Sequence, residues 1–216
     1  MFYREAGDFS TTYREDSQTF PIKFDRYRYY AVLLIAFAII PFLLNDYWVN
    51  AIFLPFLIYS IAAIGLNILT GYCGQVSLGT GGFMAVGAYA TYKLMTAFPE
   101  VSMVVHILLA GGITAFVGVL FGLPSLRIKG FYLAVATLAA QFFLVWLFNG
   151  GPCFYNYSAS GQINSPERTL FGIPITGANT EPWAVYLFCL VFVTLSAIIA
   201  RNLTRGAMGR KWMAIR

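Results

Sequence analysis

The stretch from Tyr29 to Trp48, YYAVLLIAFAIIPFLLNDYW, sets the terms for everything else in this chain. A helix rises 1.5 Å per residue, so crossing ~30 Å of hydrocarbon takes about 20 mostly apolar residues. The same length of apolar sequence recurs at Ala51 to Thr70, Gln75 to Phe98, Ser102 to Gly122, Phe131 to Phe148 and Trp183 to Ala200. Hydrocarbon offers no partner to backbone N–H and C=O groups, so runs of this length must satisfy them internally as helices. Hydrophobic residues make up 59% of the chain and charged ones 11%, with a mean hydropathy of +0.69. A soluble domain carries roughly 25% charged residues. The expected fold class is an all-α integral membrane protein, a polytopic helical bundle of about six transmembrane helices.

Residues 1–28 mix both signs of charge and lack the apolar core of a signal peptide, so they read as a polar cytoplasmic tail. Residues 29–200 form the transmembrane domain, with one long polar loop at 149–182, and residues 201–216 lie beyond the last span. If the amino terminus is cytoplasmic, twelve of the fourteen Lys and Arg residues fall on the cytoplasmic side. Only Lys93 and Arg168 are left on the other, and basic residues favour the inner face. Both ends are therefore expected inside and loop 149–182 outside. The net charge of +5 reads as membrane orientation, not as a nucleic-acid surface.

GYCGQVSLGTGGFMAVGAY, Gly71 to Tyr89, interrupts this pattern with six glycines in an otherwise apolar region. Glycine weakens a helix by roughly 1 kcal/mol per residue. Two readings stay open. Gly79 and Gly82 can let helices approach closely. Alternatively, a broken helix exposes amides and polar side chains (Gln75, Ser77 and Thr80) to a solute path. The pair Gly118 and Gly122, spaced GxxxG, is assigned to helix packing. The segment GQVSLGTG lacks the Lys of a phosphate loop.

Catalysis needs a nucleophile with a base, paired carboxylates or clustered metal ligands. One histidine and nine scattered acids supply none of these, and no cofactor or metal is expected. Cys73, Cys153 and Cys189 lack metal-ligand spacing and read as free thiols. Asp46, Lys93 and His106 sit towards the outer ends of their spans, and His106 reads as interfacial or hydrogen-bonded.

LNILTGYCGQVSLGTGGFMAVGAYA resembles the opening motif of membrane subunits in ABC importers of the branched-chain amino-acid type. LPSLRIKGFYLAVATLA is similar to a later cytoplasmic loop and span of those subunits, and RGAMGRKWMAIR to the start of their coupling segment. The chain departs from the family at Thr80, often His, and at Gly82, often Ala. The resemblance, over Ala51 to Arg216, implies the amino-terminal part of a longer permease in a bacterial inner membrane. It also implies a second permease subunit, cytoplasmic ATPase subunits and a periplasmic solute-binding protein as partners, besides membrane lipid.

Met208, Trp212 and Ile215 are spaced i, i+4, i+7, which predicts a short amphipathic helix over Met208 to Arg216. Under the resemblance, Gly209, Arg210, Trp212 and Ile215 are candidates for docking the ATPase, and Gln75, Ser77, Gly79, Thr80 and Gly82 for the translocation path. The alternatives are an ion-coupled secondary transporter and a structural membrane subunit without catalysis.

Overall fold

Because lipid cannot take up backbone hydrogen bonds, each apolar run either closes on itself as a helix or finds protein partners. The computed structural model describes residues 12, 23–43, 45–125, 131–151, 154, 163, 165–170, 172–177 and 180–215. The chain divides into two units, residues 1–44 and 45–216.

The first unit contains α1, which runs as Lys23–Leu34, a π-helical turn Ile35–Ile39 and Ile40–Leu43. It begins inside the stretch read as a tail, where Asp25 and Arg28 pair at 3.7 Å one turn apart. Most of its large apolar side chains are exposed, the favourable arrangement in lipid.

Asn45 opens the second unit in extended conformation, with φ −102° and ψ 161°. Tyr47 and Trp48, expected to close the first span, instead start the second. This helix, α2 (Asp46–Tyr72), carries π-helical stretches at Val49–Phe53 and Ile68–Tyr72. Residues 74–79 are not helical, and Gly74 has a φ of 68°, which favours glycine. Then follow α3 (Thr80–Ala97), α4 (Met103–Ser125) and α5 (Phe131–Gly150). The third span was expected from Gln75, but its helix starts only at Thr80.

Strands β1 (Arg168–Leu170) and β2 (Ile173–Thr176) pair antiparallel, Leu170 opposite Ile173 and Arg168 opposite Thr176. Gly172 supplies the positive φ, 84°, that their tight turn requires. This hairpin, within the loop read only as polar, was not foreseen. The chain ends in α6 (Pro182–Arg205) and α7 (Ala207–Ile215).

Helices α3, α4 and α5 pack together, while α2 packs on α6 and α6 on α7. The first group is sealed by Val86, Leu144 and Phe148, with Tyr89 stacked on Phe148 at 4.4 Å between centroids. Such a pair contributes about 0.5–1.5 kcal/mol beyond its burial. In the second group Tyr186, fully buried, meets Phe53 edge-on at 5.5 Å.

Among the described residues five helices are long and apolar enough to cross a membrane: α1, α2, α4, α5 and α6. Helix α3 has 18 residues, about 27 Å, and is less apolar because it carries glycines, threonines and Lys93. Leu108, Leu109, Phe116, Phe142 and Trp146 remain exposed on α4 and α5, where lipid rather than water covers them. The molecule is a polytopic helical membrane protein, with one small hairpin among the described residues.

Candidate functional site

Helix α3 starts where it does because the chain before it is pinned to α5. The Leu78 amide donates to Thr137 Oγ1 at 3.0 Å, and that hydroxyl donates in turn to the Ala134 carbonyl at 2.9 Å. Gly79 and Gly82 are buried at this junction. A Cβ on Gly79 would stand 2.9 Å from the Thr137 carbonyl oxygen, closer than real Cβ atoms come. On Gly82 it would stand 3.1 Å from both Gln141 Cα and Leu144 Cδ1. These two glycines serve close packing of α3 on α5.

Gln75 and Ser77 do something else. Both line a cavity of about 570 Å³, together with Leu69, Phe83, the second half of α4 and the first half of α5. Its walls are apolar except at Gln75, Ser77 and Thr137, and its volume falls within the roughly 300–1,000 Å³ of small-molecule sites. Ser77 Oγ also accepts a hydrogen bond from the Gly79 amide at 3.4 Å. Thr80, half-buried, begins α3 and is not among the cavity's lining residues. Within the glycine-rich stretch, Gly79 and Gly82 therefore sit against α5, whereas Gln75 and Ser77 line the cavity.

Gly118 and Gly122 correct an expectation. A Cβ on Gly118 would meet only Phe83 Cε1, at 4.0 Å, and one on Gly122 would meet nothing within 4 Å. No neighbouring helix comes close enough to need them bare. Both face the cavity, where a missing side chain leaves room.

Thr137 and Gln141 were missed from sequence. Each is a polar residue inside the apolar run of α5, which is itself a signal, since polar groups in a span are costly and tend to be used. Thr137 lines the cavity and holds the break, while Gln141 lies over Gly81 and Gly82. His106, read as interfacial or hydrogen-bonded, is 1% exposed, and neither ring nitrogen is bonded among the described residues.

At the carboxyl end the expected helix forms, as Ala207–Ile215. Gly209 is buried because any side chain there would overlap the Thr204 carbonyl, and Trp212 is half-buried. Met208, Arg210 and Met213 are exposed. The turn at Gly206 rotates α7 so that its bare backbone at Gly209 seats on α6. Ile215 ends the helix. Helix α7 also touches the π-helical turn Ile68–Tyr72, just ahead of the break. Cys73 and Cys189 are free thiols, and Cys153 lies outside the described residues. Among the described residues no cluster of metal-ligating side chains occurs.

The family profile described as branched-chain amino acid transport system / permease component matches residues 49–216. The chain belongs to that permease family. The high-affinity branched-chain amino acid transport system permease protein LivM of Salmonella typhimurium is 33% identical to it over 185 residues, covering 74% of this chain. LivM of Escherichia coli is 32% identical over the same length. The permease chain spans 42% of the length of these curated relatives. No solved structure gives a significant match. The matched region begins at Val49 and so takes in the cavity, the break and α7, but not α1.

Proposed function

We propose that this permease chain is part of the membrane subunit of an ATP-driven importer of branched-chain or related amino acids. The observation that carries the reading is family membership across residues 49–216, the region that contains the cavity. An amino acid with an aliphatic side chain needs apolar walls for its body and a few polar groups for its ends. The cavity supplies apolar walls with Gln75, Ser77 and Thr137 among them. In this reading Gln75 and Ser77 contact the solute, with Thr80 beside them. Gly79 and Gly82 let α3 seat on α5.

ATP hydrolysis belongs to separate cytoplasmic subunits that dock at α7, through Gly209, Arg210, Trp212 and Ile215. A second permease subunit and a periplasmic solute-binding protein complete the assembly. The protein sits in the bacterial inner membrane with both ends cytoplasmic. The basic residues Arg201, Arg205, Arg210 and Lys211, clustered at and after the end of α6, support that orientation.

The test uses the full-length permease reconstituted with its ATPase and binding-protein partners in sealed vesicles. Uptake of labelled leucine, isoleucine and valine is expected to require ATP and to survive collapse of proton and sodium gradients. Gradient-driven uptake without ATP would replace this reading with secondary transport.

A further inference from the structure

Arg168 opens β1 and reaches out of the hairpin to the end of α3 remote from the cavity. Its guanidinium donates from Nη2 to the Met95 carbonyl at 2.6 Å and from Nη1 to the Pro99 carbonyl. These oxygens belong to the last turn of α3 and the turn after it, where a helix leaves carbonyls without intrahelical donors. A cation there also meets the negative end of the helix dipole. No carboxylate lies within ion-pair distance of Arg168 among the described residues, and its Nε is buried without an acceptor. The side chain is committed to α3 and not to a local ion pair.

The other strand is held elsewhere. Strand β2 packs on α6 with Ile175 buried, and Thr176 Oγ1 donates to the Pro166 carbonyl at 2.7 Å, closing the base of the hairpin. Helix α6 belongs with α2, and α3 with α4 and α5. The hairpin therefore ties the two helix groups together at one end, as the break at residues 74–79 ties them at the other. Between those ends α3 is gripped at its middle. A Cβ on Gly87 would stand 3.3 Å from Thr114 Oγ1, and Tyr89 stacks on Phe148.

We infer that Arg168 is a latch, a positioning residue that fixes the tilt of α3 and through it the access to the cavity. A helix held at its middle moves its two ends in opposite senses. Releasing Met95 and Pro99 swings Gly79 and Ser77 at the far end. Arginine suits the task because its rigid fork meets two carbonyls at once, which a lysine ammonium cannot do with the same fixed geometry. The uptake arm of the test rests on the import reading, whereas the labelling arm does not.

The experiment uses the full-length permease assembled with its partners, with its native cysteines replaced and Ser77→Cys as reporter. The rate of modification by a membrane-impermeant maleimide is compared for the parent, Arg168→Lys and Arg168→Gln. The Gln variant is expected to change that rate by about fivefold, the equivalent of one lost hydrogen bond, with Lys intermediate. In protein that keeps Ser77, maximal uptake should fall by a similar factor while the half-saturating solute concentration stays near the parent value. Thr176→Val, which frees the base of the hairpin, should shift labelling in the same direction by less. Labelling of the Gln variant at the parent rate would overturn the latch. Should that variant fail to accumulate, parent-like labelling of both Arg168→Lys and Thr176→Val would overturn it equally. Altered labelling in a transporter that never carries amino acids keeps the latch and removes the import reading. Amino-acid uptake with unaltered labelling does the reverse.

Discussion

The glycines of the break and those of α4 call for opposite consequences from the same change. Gly79→Ala puts a methyl group against the Thr137 carbonyl, where backbone must move, and overpacking of this kind costs about 1–3 kcal/mol. At Gly122 an added Cβ meets nothing within 4 Å, and a leucine there would fill part of the cavity that Gly122 lines. Thermal unfolding and uptake should separate them: Gly79→Ala lowers stability and assembly together, whereas Gly122→Leu keeps both and blocks transport. Gln75→Ala and Ser77→Ala should likewise impair uptake in complexes that still assemble, and normal uptake by both would remove them from the path. The sequence marked Gly71 to Gly82 as exceptional but could not apportion roles within it. Which glycine meets a neighbour depends on where α5 lies, and α5 is more than fifty positions away in the chain.

At the scale of elements, α7 illustrates what periodicity reads well and badly. The spacing of Met208, Trp212 and Ile215 predicted a helix, and Ala207–Ile215 is one. It did not predict the helix's rotation, because that is set by the overlap Gly209 avoids with Thr204. Gly209 is buried and Trp212 half-buried, and Met208 and Met213 are exposed on either side of that seat. Flexible methionine side chains fill irregular surfaces and suit a partner's groove. Trp212→Asp should uncouple ATP hydrolysis from uptake while leaving membrane insertion intact, and crosslinks from Met213 to the ATPase should respond to nucleotide. Full ATP-driven uptake by Trp212→Asp would reduce α7 to an anchor. The hairpin was the element that hydropathy could not reveal. Its cue is local, a turn glycine between short β-branched stretches in TLFGIPIT, and it is easily lost among the Gly, Pro and Ser residues around it.

For the molecule as a whole, composition alone made the membrane-protein reading secure, since 11% charge leaves too little polar surface for a soluble domain of this size. Span ends were less legible. Aromatic pairs such as Tyr47 and Trp48 mark the headgroup level equally well at either end of a helix, so they could not say which helix they belong to. Topology can be tested in intact cells. A cysteine at Thr169 on the exposed edge of β1 should react with an impermeant maleimide from outside. One at Arg210 should react only after the inner face is opened. Probes at Gly161, Asn179 and Ile128 would extend the same map to positions outside the described residues. Labelling of Arg210→Cys from outside would invert the orientation.

The break at residues 74–79 has a consequence of its own for isotope exchange. The Leu78 and Gly79 amides are held by Thr137 and Ser77, but those of Val76 and Ser77 find no acceptor among the described residues. Hydrocarbon cannot satisfy them, so these amides need either solvent or a further protein acceptor, and exchange tells the two apart. Deuterium should enter Val76 and Ser77 within seconds, while the adjoining helical turns of α2 and α3 stay protected for hours. A cluster of rapidly exchanging amides flanked on both sides by inert ones would mark a permanent inlet of solvent into the bilayer. The packing around Val86, Leu144 and Phe148 would then be what keeps such an inlet from becoming a proton leak on its side.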